Sequence, residues 1–332
     1  MNTVTPASEG PPLLEVDRLT TTFALRGGRE AAAVDDVSLH IDRGETLALV
    51  GESGSGKSVT ALSIVGLVQR PGRVVSGRIL LDGVDLAGLD DSRMRHIRGR
   101  RIGFIFQEPM VALDPVYTIG AQISETLAVH GLARGAQARA RVLELLEAVR
   151  IPDPARRARE YPHQLSGGLR QRAMIALALS AKPELVIADE PTTALDVTVQ
   201  AEILELLRQL RREFNLSVLL ITHDLGVVAE MADRVAVMYA GRLVEQGPVA
   251  AVFAAPTHPY TRALFASIPG AHPGARLRAV DGNVPALGQV PPGCAFAPRC
   301  ANRFAPCDTP PGLYQVGEAH QSRCFLYADH PS

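Results

Sequence analysis

Residues 45–58 read "ETLALVGESGSGKS", and the fold turns on this stretch. "ETLALVG" (45–51) is a nearly continuous apolar run, the pattern of a strand buried on both faces. "GESGSGKS" (51–58) matches G-x4-G-K-[ST], and "VTALSIVGLV" (59–68) continues as a helix. Strand, glycine loop and helix in that order are the setting of a phosphate loop. Gly51, Gly54 and Gly56 let the chain curl so that backbone N–H groups point inward at phosphate. Ser53, Ser55 and Val59 belong to the same cradle, and the helix N-terminus adds a partial positive charge. Lys57 is placed to neutralise the β and γ phosphates and Ser58 to ligate Mg²⁺. The bland alternative, a Gly/Ser-rich surface turn, does not explain the flanking strand and helix.

Outward from this loop, the first part of the chain alternates apolar stretches with turns. "LLEVDRLTTTF" (13–23), "VDDVSLHI" (34–41) and "GRILLDGVDL" (77–86) show the period-two pattern of antiparallel strands. Later apolar runs, "RIGFIF" (101–106), "ELVIADE" (184–190), "SVLLITH" (217–223) and "RVAVMY" (234–239), read as buried strands. Helical patterns separate several of them; "ILELLRQLRREF" (203–214) puts Ile203, Leu206, Leu207 and Leu210 on one face. Strands alternating with helices predict an α/β fold with a mostly parallel sheet. Residues from about 108 to 180 carry the amphipathic "RARVLELLEAV" (139–149) and no strong strand signal, so a helical insert is expected there. After about 248 the composition shifts toward Pro, Gly and Ala. The expected division is a loose tail over 1–12, a nucleotide-binding domain over 13–250 and a small loop-rich C-terminal domain over 251–332.

Composition narrows the function classes. The 332 residues carry a net charge of −1 and are 46% hydrophobic. A well-packed core fits these values, whereas a nucleic-acid binder would usually show a basic excess. No apolar run reaches the roughly 18 residues that cross a bilayer. "MNTVTPASEGPP" (1–12) lacks the basic and apolar regions of a signal peptide. A soluble, intracellular chain is expected, with any membrane association supplied by a partner.

Several polar residues end core strands, where open α/β sheets place their ligands. Asp189 and Glu190 close "LVIADE" (185–190). Asp189 suits coordination of Mg²⁺ and Glu190 suits activation of the water that attacks a γ-phosphate. Alone, an acidic pair at a strand end is more often an ordinary turn; beside a phosphate loop it points to hydrolysis. Gln107 follows "IGFIF" and His223 ends "VLLITH". A lone Gln or His proves little, and the value of these two lies in their position.

The order of these motifs resembles the nucleotide-binding subunit of an ABC transporter. Phosphate loop, "FIFQEP" (104–109), "LSGGLRQR" (165–172), "LVIADEPTTALD" (185–196) and "LLITHD" (219–224) together carry the resemblance over roughly 13–250. It implies that Gln107 links the nucleotide and its Mg²⁺ to transmembrane subunits. His223 would be the switch histidine on the γ-phosphate, and "ALD" (194–196) the loop that faces the opposite protomer through Asp196. Phe23 is the candidate for stacking on adenine. "LSGG" has the Ser and Gly of a phosphate cradle but no lysine. The resemblance gives its Ser166, Gly167 and Gly168 to the ATP held by a partner's phosphate loop. Leu169 stands where relatives often have Met or Gln, a change expected to be harmless.

"PTHPYTRALFASIP" (256–269) narrows the resemblance to the oligopeptide/dipeptide importer subfamily. All four cysteines follow it: Cys294, Cys300, Cys307 and Cys324, spaced C-x5-C-x6-C-x16-C. Cytosolic disulfides are uncommon, so the clustering suggests a metal site. Zinc sites usually use tighter pairs. Four thiolates can hold a [4Fe–4S] cluster, which some relatives carry in this region. A cluster is expected, with zinc and four unligated thiols as alternatives that spacing alone does not separate.

The resemblance implies an ATPase that energises import of peptides or related solutes from the cytoplasmic face of the membrane. Its partners would be two transmembrane permease subunits, a second and related ATPase chain, and indirectly an extracytoplasmic solute-binding protein. The rival from another class is a nucleic-acid maintenance ATPase of the same superfamily. That rival usually brings a long coiled-coil insert, a second nucleotide domain or a basic face, none of which the sequence shows. A phosphate-loop kinase or GTPase has no need of "LSGG". A subunit that holds ATP without splitting it has no need of Glu190 and His223.

Overall fold

Twelve strands run through the described residues of the structure, a computed structural model that describes residues 10–193, 195–267 and 282–328. The expected tail falls largely on residues 1–9, outside the described residues, as do Ala194 of "ALD" and the last residues of "PTHPYTRALFASIP". In chain order the strands are β1 (Leu14–Ala24), β2 (Glu30–Ile41), β3 (Thr46–Val50), β4 (Gly72–Leu81), β5 (Val84–Asp85), β6 (Ile102–Ile105), β7 (Leu185–Asp189), β8 (Ser217–Thr222), β9 (Arg234–Tyr239), β10 (Arg242–Pro248), β11 (Tyr314–Gly317) and β12 (His320–Ser322). Two compact units divide them. The first comprises Asp42–Glu45 and Gly88–Leu220; the second comprises Gly10–Ile41, Thr46–Ala87 and the described residues from Ile221 onward.

In the second unit β1 pairs antiparallel with both β2 and β4, giving the order β2-β1-β4-β5. Register breaks interrupt β1 on both sides of Leu19, where Arg18 takes a left-handed φ of 50°. Beside this antiparallel sheet the unit holds the parallel pair β3–β9, with Leu47 opposite Arg234 and Val50 opposite Val237. Every residue of β3 is buried, as an apolar run with no polar alternation requires. Helix Lys57–Ile64 follows β3 after the glycine loop, and helix Leu225–Met231 follows β8. The core gathers Ala48 and Val50 of β3, Val235, Val237 and Tyr239 of β9, Val228, Tyr260 and Phe296.

The described residues of the loop-rich C-terminal stretch lie in this same unit. Strand β10 pairs antiparallel with β9, and the hairpin β11–β12 adds to β10 through Glu245 opposite Ser322. The ring of Phe296, from between the first two cysteines, stands edge-on to Tyr239 at 5.3 Å and lies 5.4 Å from Tyr260. Buried Glu245 accepts hydrogen bonds from the backbone and hydroxyl of Thr257, from the His258 N–H and from His320 Nε2, all at 2.7–2.8 Å. Burial pushes the Glu245 carboxyl up, but these donors outweigh it and hold the group below 4.5.

The first unit holds the parallel pair β6–β7, Ile102 opposite Leu185, and the expected helical insert. That insert runs as helices Pro109–Ala112, Ile119–Val129, Gly135–Ala148, Pro154–Arg157 and Gly167–Leu179. Helix Val197–Phe214 buries Ile203, Leu206 and Leu210, the stripe read from the sequence; Leu207 of that stripe is only partly covered. Strand β8 leads from this unit into the other, its last two residues being Ile221 and Thr222.

Candidate functional site

The phosphate loop sits between β3 and helix Lys57–Ile64. Gly51 has φ 154°, and a Cβ there would stand 2.2 Å from the Met238 carbonyl oxygen and 2.8 Å from Ser55 Oγ. Only glycine fits where the backbone passes so close to β9. Ser53 and Gly54 are exposed, whereas Ser55 and Lys57 are buried. Lys57 Nζ donates to the carbonyls of Gly51 at 2.8 Å and Glu52 at 3.0 Å, and to Ser55 Oγ at 3.4 Å. These neutral acceptors hold the ammonium over the loop, where phosphate oxygens can replace them. Ser58 and Val59 lie in the first turn of the helix, both half-buried.

Two other expected residues belong to the same unit. Phe23 is half-buried near the end of β1, opposite Ala31 and Gly72, with its ring against the Gly72 backbone. His223 is exposed between β8 and the helix that Asp224 caps, Asp224 Oδ1 accepting from the Gly226 N–H at 2.8 Å. The cap fixes the turn that carries the imidazole.

In the first unit, Asp189 is buried at the end of β7 and Glu190 is half-buried beyond it. Glu190 takes a left-handed φ of 47°, a conformation that costs a non-glycine residue about 1–3 kcal/mol. Its Oε2 accepts from Thr193 Oγ1 at 2.8 Å and from Gln107 Nε2 at 3.1 Å. The structure therefore brings Gln107 and Glu190 together, 83 residues apart in sequence. Sequence reading did not single out Thr193, because a threonine in a turn carries no chemical signature until the carboxylate it holds is seen.

The "LSGG" stretch opens helix Gly167–Leu179. Ser166 is its N-cap, Oγ accepting from the Leu169 N–H at 3.4 Å. Ser166 and Gly167 are exposed. Gly168 lies so close to Val199 that an added Cβ would stand 2.8 Å from Val199 Cγ1. Asp196 caps the helix that contains Val199, accepting from its N–H at 3.0 Å. Ser166, Gly167, Gly168 and Asp196, all expected to face a partner's nucleotide, are thus neighbours on one surface. Val197 beside them is 85% exposed. Gln171, one turn into the same helix and 2% exposed, donates to the Pro191 carbonyl. The helix that starts with "LSGG" thereby supports the turn that follows Glu190.

The four cysteines return to the second unit. Cys294, Cys300, Cys307 and Cys324 line one small cavity of about 10 Å³ together with His258 and Phe296. Burial pushes the Cys294 and Cys300 thiols up, and the Cys324 thiol up to about 11. The donor set suits a thiophilic metal. As placed, however, no three His, Cys, Asp or Glu among the described residues form a group that could hold a metal ion, and the cavity has room for about one water.

Known proteins resemble this chain. Residues 34–193 match the family model described as ABC transporter, and residues 244–307 match that described as oligopeptide/dipeptide transporter, C-terminal region. A Brucella ovis protein named for peptide import and ATP binding is 52% identical over 96% of this chain and 98% of its own length. The oligopeptide transport ATP-binding protein AppD of Bacillus subtilis is 51% identical over 96% of this chain and 97% of its own. Among solved structures, the post-hydrolysis dimer of the ATP-binding cassette MJ0796 bound to ADP and Pi superposes with a TM-score of 0.64 at 32% identity. It covers 71% of this chain and 98% of that one. On these family matches and on identity above 50% over nearly the whole length, the chain belongs to the ATP-binding protein family of ABC transporters.

Proposed function

We propose that this chain hydrolyses ATP to drive import of peptides or chemically related solutes through a pair of membrane permeases. The observation that carries the reading is the exposed Ser166–Gly167 cap beside Asp196 and Val197. A helix N-terminus with a hydroxyl and close-approach backbone, but no lysine of its own, suits a phosphate already neutralised by another chain. Two such chains would close on two ATP molecules, each held by one chain's phosphate loop and the other's "LSGG". The partner is read as a related but different ATPase chain. Lys57 binds phosphate together with Gly51, Ser53, Gly54, Ser55, Gly56, Ser58 and Val59 of the loop, and Phe23 stacks on adenine. Ser58, Gln107 and Asp189 offer hydroxyl, amide and carboxylate oxygens, the hard donors that Mg²⁺ takes. Magnesium supplies charge neutralisation at the β and γ phosphates. Glu190 accepts the proton of the attacking water, and His223 steadies the γ-phosphate. Loss of such a base costs roughly 10²–10⁴-fold in rate.

The helical insert supports a permease partner. Met110, Val111, Val116 and Tyr117 are 42–69% exposed, a cluster of large apolar side chains just after Gln107. Apolar clusters of this kind mark protein interfaces. No helix among the described residues is long and apolar enough to cross a membrane, which suits a peripheral subunit on the cytoplasmic face with an extracytoplasmic solute-binding protein acting on the far side. The test is reconstitution with the permeases. Wild type is expected to hydrolyse ATP, and Glu190→Gln to bind ATP but turn over at least about 10²-fold more slowly. Near-normal hydrolysis by Glu190→Gln overturns the assignment.

The four cysteines are read as one metal pocket, with a [4Fe–4S] cluster favoured by the resemblance and zinc as the alternative. The shared cavity and the raised thiols support it: a bound cation would stabilise thiolates that burial alone disfavours, and binding would release protons. Thiols must move inward for this to happen. Anaerobic purification followed by iron, sulfide and zinc analysis decides it; a metal-free protein with four free thiols refutes it.

A further inference from the structure

Glu52, the second residue of the phosphate loop, is tied to the C-terminal stretch through both its side chain and its backbone. Its carboxylate receives Arg299 Nη1 at 3.2 Å and Nη2 at 3.3 Å. Its backbone N–H donates to the Tyr260 hydroxyl at 2.9 Å. Its carbonyl receives Lys57 Nζ. Arg299 is nearly enclosed, its side chain 6% exposed against 28% for Glu52. It also reaches the Tyr239 hydroxyl at 3.3 Å and lies 5.7 Å from that ring's centre. Tyr260 is fully buried, and burial raises its phenol, so the hydroxyl stays protonated and neutral.

A carboxylate one residue from the start of a loop that binds a polyanion is a liability. Left unpaired, it repels phosphate across a poorly screened site. Arg299 offsets that charge and fixes where the side chain lies. Tyr260 fixes the backbone at the loop's first turn. We propose that Arg299 and Tyr260 are positioning residues for the phosphate loop: Arg299 neutralises Glu52, Tyr260 anchors its backbone, and nucleotide affinity depends on both. The proposal rests on the reading of residues 51–58 as an ATP-binding loop. Arg299 lies next to Cys300 in the chain, so the segment that sets the loop's charge is the one that carries the thiols.

The test is binding of a fluorescent ATP analogue to the full chain, together with steady-state ATP hydrolysis by the complete transporter. Arg299→Leu leaves Glu52 unpaired and is expected to weaken ATP binding about tenfold, with turnover at saturating ATP little changed. Glu52→Gln should bind ATP as tightly as wild type or more tightly. The double variant Glu52→Gln/Arg299→Leu should recover most of the lost affinity, which a merely structural arginine would not allow. Arg299→Lys keeps the charge and should lose less than the leucine variant. Tyr260→Phe removes the acceptor of the Glu52 N–H and should weaken binding without altering saturated turnover. Wild-type affinity in Arg299→Leu, or a double variant as weak as that single, overturns the proposal. Failure of wild type itself to bind ATP would refute the underlying reading instead.

Discussion

Thr193 offers a sharp test of how the site holds its carboxylate. Replacing it by valine keeps the shape and removes the hydroxyl that donates to Glu190 Oε2 at 2.8 Å. A hydrogen bond to a charged group contributes about 1.5–3 kcal/mol. Glu190 is half-buried and keeps its second donor, Gln107 at 3.1 Å, so the lower end of that range applies. About 1.5 kcal/mol corresponds to roughly a tenfold loss in rate. Because Thr193 aims a carboxylate and is not part of the phosphate cradle, the loss should appear in kcat and leave the KM for ATP nearly unchanged. Serine retains the hydroxyl, so Thr193→Ser should recover most of the activity. Steady-state hydrolysis by the reconstituted transporter, over a range of ATP concentrations, measures both constants. Equal kcat for wild type and Thr193→Val would refute the reasoning. So would a loss confined to KM, or a serine variant as slow as the valine one.

Other outcomes follow from the same geometry. Gly167→Asp has space, since a Cβ there meets only Leu195 at 3.8 Å; it should fold and bind ATP yet fail to form the ATP-dependent dimer, as read by gel filtration with the hydrolysis-impaired Glu190→Gln background. Gly51→Ala must relieve a 2.2 Å contact with the Met238 carbonyl; a cost of about 1–3 kcal/mol should lower the melting temperature and weaken nucleotide binding. Glu245→Gln turns one acceptor oxygen into an amide facing donors, and about 2 kcal/mol of stability should be lost. The native Glu245 carboxyl is held below its ordinary 4.5, so its contribution is full above that pH and fades as pH falls through the folded value. Thermal melts across that range should show a weaker acid dependence in the glutamine variant.

The parts legible in sequence were those whose signals are local. The loop 51–58 lies between one strand and one helix, and the stripe of Ile203, Leu206 and Leu210 follows a single helical period. Asp189 and Glu190 could be placed because an apolar run ends at them. Strands β10, β11 and β12 carry no strong pattern of their own; "RLVEQGP" becomes a strand against the edge of β9, and "HQS" against β10 in turn. The Arg299–Glu52 pair spans 247 residues, and no periodicity foretells it. The same holds for Glu245 and His320, 75 residues apart. Sequence reading set the C-terminal stretch off by its composition. Composition reports where regular structure ends, not what the loops pack against, and here Phe296 packs with residues of β3 and β9.

The left-handed backbone at Glu190 has an evolutionary consequence. Glycine or asparagine would sit there with less strain, so more heat-resistant sequences lie one substitution away at all times. In a laboratory selection for thermal endurance alone, with transport dispensable, position 190 should be among the first to drift. Under selection for growth on a transported solute it should stay fixed. A single codon would then record whether a lineage still spends ATP through this protein.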